Sequence, residues 1–247
     1  MLKRLNEIGR SFSKRPHSLA LIGLGSVGKE LDRLDDYSDL DFFAIVEDGH
    51  QQSFLNDLTW LTEIAPVDFH FLNTADGYKL LYADGIFCEM AVFDQSKLTS
   101  IPFSAGRIVW KAVGVSGEIA NPKLPLDTAK SRPEEWILGE ALTNLYVGLL
   151  RDQRGETLTA MRFIQHYALD RTIELASRRE PAQNVHADIF SPERRLEQRL
   201  PHFAQYLPQM TQGYTHNTES AVAILSFLDN HFDLNQKMVQ AIRELCD

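Results

Sequence analysis

The chain has 247 residues, enough for one large domain or two modest ones with a sizeable hydrophobic core. Hydrophobic residues make up 44% and charged residues 24%, proportions typical of a soluble globular protein. The formal net charge of −9 argues against a DNA or RNA partner, because nucleic acids are held largely by lysine and arginine side chains on their phosphates. A single nucleotide stays compatible with this charge, since a bound metal ion can neutralise its phosphates.

The sequence carries no pattern for a membrane span, a secretory signal or a disulfide framework. No apolar stretch approaches the roughly 20 residues of a bilayer-spanning helix, and the basic, mixed opening segment lacks an apolar core. The two cysteines, Cys88 and Cys246, have no metal-ligand spacing, and Cys88 lies in an apolar run. We therefore expect a buried reduced thiol, no membrane partner and a cytoplasmic location.

The first half of the chain alternates strand and helix patterns. Residues 27–34 leave room for about two helical turns, and apolar residues at helical spacing predict a helix over residues 50–64. The tripeptide Ala83-Asp84-Gly85 marks a hairpin turn. Short apolar or alternating runs predict six strands, the last of them weak: residues 18–24, 39–46, 67–72, 78–82, 86–93 and 107–115.

The second half is predicted to be helical. A Pro/Gly-rich stretch at residues 114–125 is the best linker candidate, and a capping-box pattern at residues 131–134 predicts a helix start. Helical spacing predicts four helices, the first with one apolar face: Ile137, Ala141, Leu145 and Leu149, then residues 157–179, 218–232 and 236–245. The sequence thus predicts an α/β domain over residues 1–120 and an all-helical domain over residues 126–247.

The most informative pattern is a Gly-Ser pair, Gly25-Ser26, followed thirteen residues later by Asp39-Leu40-Asp41. A tight Gly-Ser turn offers backbone N–H groups and a hydroxyl to a phosphate. Two carboxylates at positions i and i+2 of a strand point the same way, about 6–7 Å apart, and are costly at that separation without a cation. The combination predicts a site for a metal-bound nucleotide, with Asp39 and Asp41 as the metal ligands.

The same glycines also satisfy a dinucleotide-binding pattern. Gly23, Gly25 and Gly28 form G-x-G-x-x-G after a predicted strand, as in NAD(P)-dependent oxidoreductases. Against it, the ten residues between Gly28 and Asp39 are few for a crossover helix, and the next strand opens with two carboxylates. The strand–helix alternation also stops after one domain's length. An NAD(P)-dependent oxidoreductase stays open as an alternative.

A Gly-Ser turn followed by Ser-Asp-x-Asp at the head of a strand resembles the pattern of the nucleotidyltransferase superfamily. The chain is similar over most of its length to the larger class of lincosamide nucleotidyltransferases. The residues that carry this resemblance are Gly25-Ser26, Lys29, Tyr37-Ser38-Asp39, Asp41, Ala65-Pro66, Gly85, Glu89, Ile101-Pro102, Asn144-Leu145 and Arg154-Gly155-Glu156. The resemblance implies a small mixed sheet with helices in the first domain, and a helical bundle for substrate binding or oligomerisation in the second.

The activity that the resemblance implies is Mg²⁺-dependent transfer of a nucleoside monophosphate from a nucleoside triphosphate to a hydroxyl group. Asp39 and Asp41 would then hold one or two Mg²⁺ ions, and Gly25 and Ser26 the β- and γ-phosphates. Lys29 would reach the same phosphates. ATP is the implied donor, and a lincosamide- or aminoglycoside-like small molecule is the implied acceptor.

Two carboxylates compete for the role of the general base that activates the acceptor hydroxyl. Asp68, in the alternating strand over residues 67–72, fits the generic position of the superfamily. Glu89, in the apolar strand over residues 86–93, matches the strand acid of the lincosamide enzymes. We favour Glu89 as the base, with Asp68 in an assisting or structural role.

The superfamily pattern does not fix the acceptor. A protein-modifying nucleotidyltransferase, of the toxin–antitoxin kind, is therefore a second alternative to a small-molecule enzyme. Relatives of the resembling kind are often dimers, and the apolar faces of the predicted helices allow a homodimer without requiring one.

Overall fold

The computed structural model describes residues 1–124, 132–181, 191 and 193–246. The chain divides into two compact units, Met1–Asp127 and Thr128–Asp247. The first unit holds a mixed β-sheet with short helices, and the described part of the second unit is helical. The predicted order, an α/β domain followed by a helical domain, is therefore confirmed.

The first unit is built on a six-stranded sheet in the order β3-β4-β5-β2-β1-β6. Strands β2 and β5 pair in parallel, whereas the other four pairs are antiparallel, which gives the mixed sheet that was expected. The strands are β1 (Ser18–Gly23), β2 (Leu40–Val46), β3 (Val67–Thr74), β4 (Gly77–Tyr82), β5 (Phe87–Asp94) and β6 (Arg107–Lys111). All six overlap a predicted strand. Their starts and ends agree with the predicted bounds to within two residues, except that β6 ends four residues before the predicted end.

Three helices cover one face of the sheet: α1 (Leu2–Phe12), α2 (Gln51–Asn56) and α3 (Thr59–Thr62). Large side chains from both layers meet there, with the ring of Phe12 5.3 Å from that of Trp60, and Phe42 of strand β2 6.4 Å from Trp60. The sequence predicted a single helix over residues 50–64, and the structure divides it into α2 and α3. Helix α1 was not predicted, although its buried Leu5, Ile8 and Phe12 follow a helical spacing.

The opposite face of the sheet carries a smaller hydrophobic core. It includes the buried side chains Ala20, Ile22, Ile45, Phe93, Leu98, Phe103, Ile119 and Ala120. The last two belong to a 3₁₀ turn, Gly117–Ala120, inside the stretch predicted as a linker. The described part of that stretch is therefore packed against the sheet, while its end at residue 125 lies outside the described residues.

The described part of the second unit consists of helices and short turns. Its elements are α4 (Glu134–Gln153), α5 (Thr157–Arg162), α6 (Leu169–Arg179), α7 (Leu196–Arg199), α8 (Pro201–Ala204), α9 (Leu207–Met210), α10 (Asn217–His231) and α11 (Gln236–Glu244). A π-helical segment, Phe163–Ala168, joins α5 to α6, so residues 157–179 are helical throughout, as predicted. The four residues predicted as the apolar face of α4 are all buried.

The helix start predicted at residues 131–134 lies partly outside the described residues, although α4 does begin at Glu134. Among the residues that the structure describes, no helix combines the length and the apolar character needed to cross a bilayer.

Candidate functional site

The Gly-Ser pair lies in a tight 3₁₀ turn, Gly25–Val27, directly after strand β1. The backbone N–H of Leu24 donates to the carbonyl of Asp41 over 2.8 Å, which fastens the turn to the start of β2. The other hydrogen bonds of the turn are donated by the N–H groups of Val27, Gly28 and Glu30. Within the described part of the chain, the N–H groups of Gly25 and Ser26 donate to no backbone carbonyl, which makes them the candidate donors of the turn.

The three glycines of the G-x-G-x-x-G pattern are explained by this turn. Gly25 has a positive φ of +51°, a region that glycine enters without steric cost. A Cβ on Gly23 would lie 2.6 Å from the carbonyl oxygen of Val27, and one on Gly28 would lie 2.7 Å from that of Gly23. The glycines therefore let the turn fold back onto strand β1.

The dinucleotide alternative is wrong, because the described residues between β1 and β2 do not form the helical crossover to a parallel strand that the pattern requires. Strand β1 pairs antiparallel with β2, and only two 3₁₀ turns, Gly25–Val27 and Leu31–Arg33, connect them. The helix predicted over residues 27–34 is likewise replaced by these turns. No helix therefore opens after the glycines to receive a pyrophosphate.

The side chain of Asp41 faces the Gly25 turn. A Cβ placed on Gly25 would lie 3.8 Å from Asp41 Oδ2 and 3.4 Å from Arg33 Nη2, so the carboxylate and the guanidinium both lie close to the turn. Asp39 lies half-buried immediately before strand β2. Burial raises the pKa of the nearby Cys88 thiol to about 12, and the negative charges of Asp41 and Asp39 add to the rise. Both carboxylates are thus close to the start of β2, as predicted.

Glu89 lies beside Asp41 on the neighbouring parallel strand. The two residues are in register between β2 and β5, so their side chains leave the same face of the sheet. Lys79 Nζ lies 3.0 Å from one carboxylate oxygen of Glu89, and Asn73 Nδ2 lies 3.4 Å from the other. The Oδ1 atom of Asn73 is buried and accepts no hydrogen bond from the residues that the structure describes. The site therefore presents two carboxylates and an amide oxygen on one face.

The donor atoms of this site suit Mg²⁺, which prefers oxygen ligands and usually takes one or two carboxylates together with substrate phosphates. We also compared all described His, Cys, Asp and Glu side chains. The only three whose ligand atoms lie within 4.8 Å of one another are His17, Glu47 and His50. Asp39, Asp41 and Glu89 thus do not converge as a preformed three-carboxylate cage. One or two carboxylates beside the Gly25 turn still fit a metal that would arrive with a nucleotide.

Asp68 lies away from this site. It is exposed on β3, the edge strand, at an irregularity between Val67 and Phe69 where the register shifts. Strands β4 and β5 separate β3 from β2, which corresponds to about 14 Å across the sheet. The structure therefore brings Glu89 to Asp41 and leaves Asp68 apart from both.

Lys29 follows the turn, but its side chain reaches Asn121 rather than Gly25 or Ser26. It is exposed, and its Nζ lies 3.5 Å from the Oδ1 atom of Asn121. It borders an open cavity of about 460 Å³ with the residues Gly28, Leu31, Gly106, Arg107, Ile108, Gly117, Ala120 and Asn121. A phosphate contact by Lys29 requires the side chain to turn back towards Ser26.

The sequence analysis missed two arginines beside the turn. The Nη2 atom of Arg33 lies 3.4 Å from the position of a Cβ on Gly25, and its Nε lies 2.6 Å from Glu30. Arg107 of strand β6 donates from Nε and Nη2 to the carbonyl of Val27, over 3.1 and 2.9 Å. Arg33 is surrounded by acids in the sequence and Arg107 follows the turn by 80 residues, so no local pattern marked either one.

Comparison with known proteins gives one kind of match. No family model matches the chain, and no curated protein matches its sequence significantly. Among solved structures it is similar to an aminoglycoside 6-adenyltransferase from Bacillus subtilis, with 12% identity over 99% of this chain and 91% of that chain and a TM-score of 0.36. It is also similar to a nucleotidyltransferase-like protein from Exiguobacterium sibiricum 255-15, with 12% identity over 100% and 74% of the two chains and a TM-score of 0.34. Scores this low establish no shared function.

Proposed function

We propose that this protein is a nucleotidyltransferase that moves a nucleoside monophosphate, AMP from ATP, onto a hydroxyl group of a small molecule. The observation that carries the proposal is the position of Asp41. Its carboxylate lies close to the Gly25 turn, and Asp41 is in register with Glu89 on the next strand. The groups that we propose to bind phosphate, to hold the metal and to accept the proton thus share one end of the sheet.

The turn and the first pair of carboxylates bind the donor in this proposal. The N–H groups of Gly25 and Ser26, with the Ser26 hydroxyl, hold the β- and γ-phosphates. Asp39 and Asp41 supply oxygen ligands for Mg²⁺, which when bound neutralises charge that develops on the α-phosphate and on the departing pyrophosphate. The Arg33 guanidinium, next to Gly25, adds a positive charge on the same side of the turn.

Glu89 receives the proton of the acceptor hydroxyl. As that proton moves to Glu89, the acceptor oxygen forms a bond to the α-phosphorus, and the bond to the bridging oxygen breaks to release pyrophosphate. Lys79 and Asn73 hold the Glu89 carboxylate in place through its two oxygens. Asp68, three strands from Asp41, takes no part in this step.

The acceptor class rests on charge and on the sequence resemblance. A net charge of −9 favours an acceptor that carries amines, such as an aminoglycoside- or lincosamide-like antibiotic. A protein acceptor uses the same chemistry at the donor site, so the choice between the two acceptors has to be made by experiment.

The proposal is tested by measuring pyrophosphate release with Mg²⁺ and each of ATP, GTP, CTP and UTP against a panel of hydroxylated antibiotics. We expect ATP-dependent release with at least one amine-bearing acceptor. Asp41→Asn should lower turnover by about 10²–10³-fold, since one charged ligand at the reacting phosphate is lost. Its melting temperature should stay close to that of the wild type.

Asp36→Asn is the matched control, because it removes the same charge from an exposed position in the loop that precedes strand β2. It should leave turnover unchanged. Equal activity in Asp41→Asn and the wild type would remove the proposal. Labelling of proteins, with every small molecule inert, would retain the transferase and exchange the acceptor.

A further inference from the structure

A second cluster of ligand-type side chains lies at the other end of the sheet. His17 immediately precedes strand β1, Glu47 immediately follows strand β2, and His50 immediately precedes helix α2. Glu47 follows Asp41 by six residues along an extended strand, which corresponds to about 20 Å. This cluster is therefore distinct from the candidate nucleotide site.

The three side chains are already in contact. His17 Nδ1 lies 2.7 Å from Glu47 Oε2, and the imidazole rings of His17 and His50 stack with centroids 3.5 Å apart and planes 8° apart. One ligand atom from each residue lies within 4.8 Å of the other two. Among the described residues this is the only such group of three.

The backbone holds these residues together in a way that the sheet alone does not require. His17 has a positive φ of +67°, a region that few residues other than glycine adopt. Its carbonyl accepts the N–H of Glu47 over 2.9 Å, and the carbonyl of Glu47 accepts the N–H of His50 over 3.2 Å. A left-handed histidine, stabilised by the surrounding hydrogen bonds, thus turns its ring towards the other two ligands.

The loop that carries Glu47 and His50 is also fixed from outside the cluster. The carboxylate of Asp94 accepts the N–H groups of Gly49 and Gln51, each over 3.0 Å, and Asp48 accepts the N–H of Ser96 over 2.9 Å. The two neighbouring acids are therefore engaged with backbone donors. Glu47 is the carboxylate that remains directed at the histidines.

We propose that His17, Glu47 and His50 form a binding site for a late first-row divalent cation, with Zn²⁺ as its representative. Two imidazoles and a carboxylate are a donor set that Zn²⁺ favours, with a fourth position for water. The oxygen ligands near Asp41, in contrast, suit Mg²⁺. Because the rings are stacked almost parallel, the imidazoles must tilt apart to converge on one ion. Their partial exposure, 42% for the His17 side chain, leaves room for this movement.

The competing interpretation is an ion pair between His17 and Glu47 with a ring stacked on it. Two substitutions separate the interpretations. His50→Phe keeps an aromatic ring against His17 but offers no nitrogen to a metal. Glu47→Gln keeps a hydrogen-bond partner for His17 and removes the anionic ligand.

Zn²⁺ binding is measured by isothermal titration calorimetry on chelator-treated full-length protein, and Co²⁺ absorption reports the ligand geometry. The wild type should bind one equivalent saturably, and Zn²⁺ should raise its melting temperature. His50→Phe, Glu47→Gln and His17→Asn should each weaken this binding about tenfold or more. Asparagine is chosen at position 17 because it tolerates the left-handed region.

His166→Ala is the control for adventitious binding, because it removes an exposed histidine from a helical segment remote in sequence. It should bind Zn²⁺ as the wild type does. The proposal is overturned if the wild type shows no saturable equivalent, or if His50→Phe and Glu47→Gln bind as tightly as the wild type. The readout is metal binding, so its result does not depend on the transferase proposal.

Discussion

The two faces of strand β5 differ at one point of the sheet, where one face carries a buried thiol and the other a half-exposed carboxylate. Cys88 and Glu89 are consecutive residues of β5 and point to opposite sides. Cys88 is fully buried, and burial raises the pKa of its thiol to about 12, so it stays protonated and unreactive. Glu89 is half-exposed and contacts Lys79 and Asn73. The comparison shows that a strand can keep polar groups accessible on one face while its other face packs in the core.

The sharpest test of this separation is Glu89→Gln. It should lower the turnover of the proposed transfer about 10²–10⁴-fold, because the proton acceptor is lost, while the free energy of unfolding changes little. Steady-state pyrophosphate release and urea unfolding measure the two quantities on the same sample. Asp68→Asn removes the competing carboxylate and should leave turnover nearly unchanged. A larger loss in Asp68→Asn than in Glu89→Gln would reverse the assignment of the base.

The neighbouring residue Met90 tests the other face. Its side chain is 3% exposed and belongs to the core under α1, α2 and α3. Met90→Ala should lower the free energy of unfolding by about 2–5 kcal/mol, because the shorter side chain leaves a cavity and loses packing contacts and buried apolar area. Turnover per folded molecule should stay close to the wild type. A variant that is stable but inactive would show that the two faces are not independent.

Local sequence pattern predicted the parts of the fold that depend on one element at a time. The alternating or apolar runs around β1, β2 and β5 each gave a strand close to its observed bounds. Helix α1 was missed because its basic residues obscure a short apolar spacing. The parallel pairing of β2 with β5 could not be seen from either strand alone, since it depends on which strands become neighbours in the sheet.

The same limit applies to the candidate site. Asp39, Asp41 and the Gly-Ser turn are close in the sequence, and their type and spacing were enough to predict a site there. The placement of Glu89 next to Asp41, and of Asp68 at the edge, follows from strand order. Arg33 and Lys79 matter through contacts across turns and strands, which the pattern of charges along the chain does not record.

Substitution of Gly28 gives the smallest of the expected effects on stability. Unlike the changes on strand β5, it should affect stability and nucleotide binding together. The three atoms nearest to a Cβ there all belong to the backbone, with the Gly23 oxygen at 2.7 Å and two atoms of Leu24 at 2.8 Å. Gly28→Ala should therefore cost about 1–3 kcal/mol in urea unfolding. It should also weaken nucleotide binding, because the backbone that must move carries the N–H groups proposed to hold the phosphates.

Gly139→Ala is the matched control, since Gly139 lies in helix α4 with nothing within 4 Å of a new Cβ. The same added methyl group should there stabilise the protein by about 0.5–1 kcal/mol, because alanine loses less conformational freedom in a helix. If Gly28→Ala kept both stability and nucleotide affinity, the turn would have to be looser than its contacts indicate. On strand β5 packing and chemistry can be changed one at a time, whereas in this turn the same backbone atoms serve both.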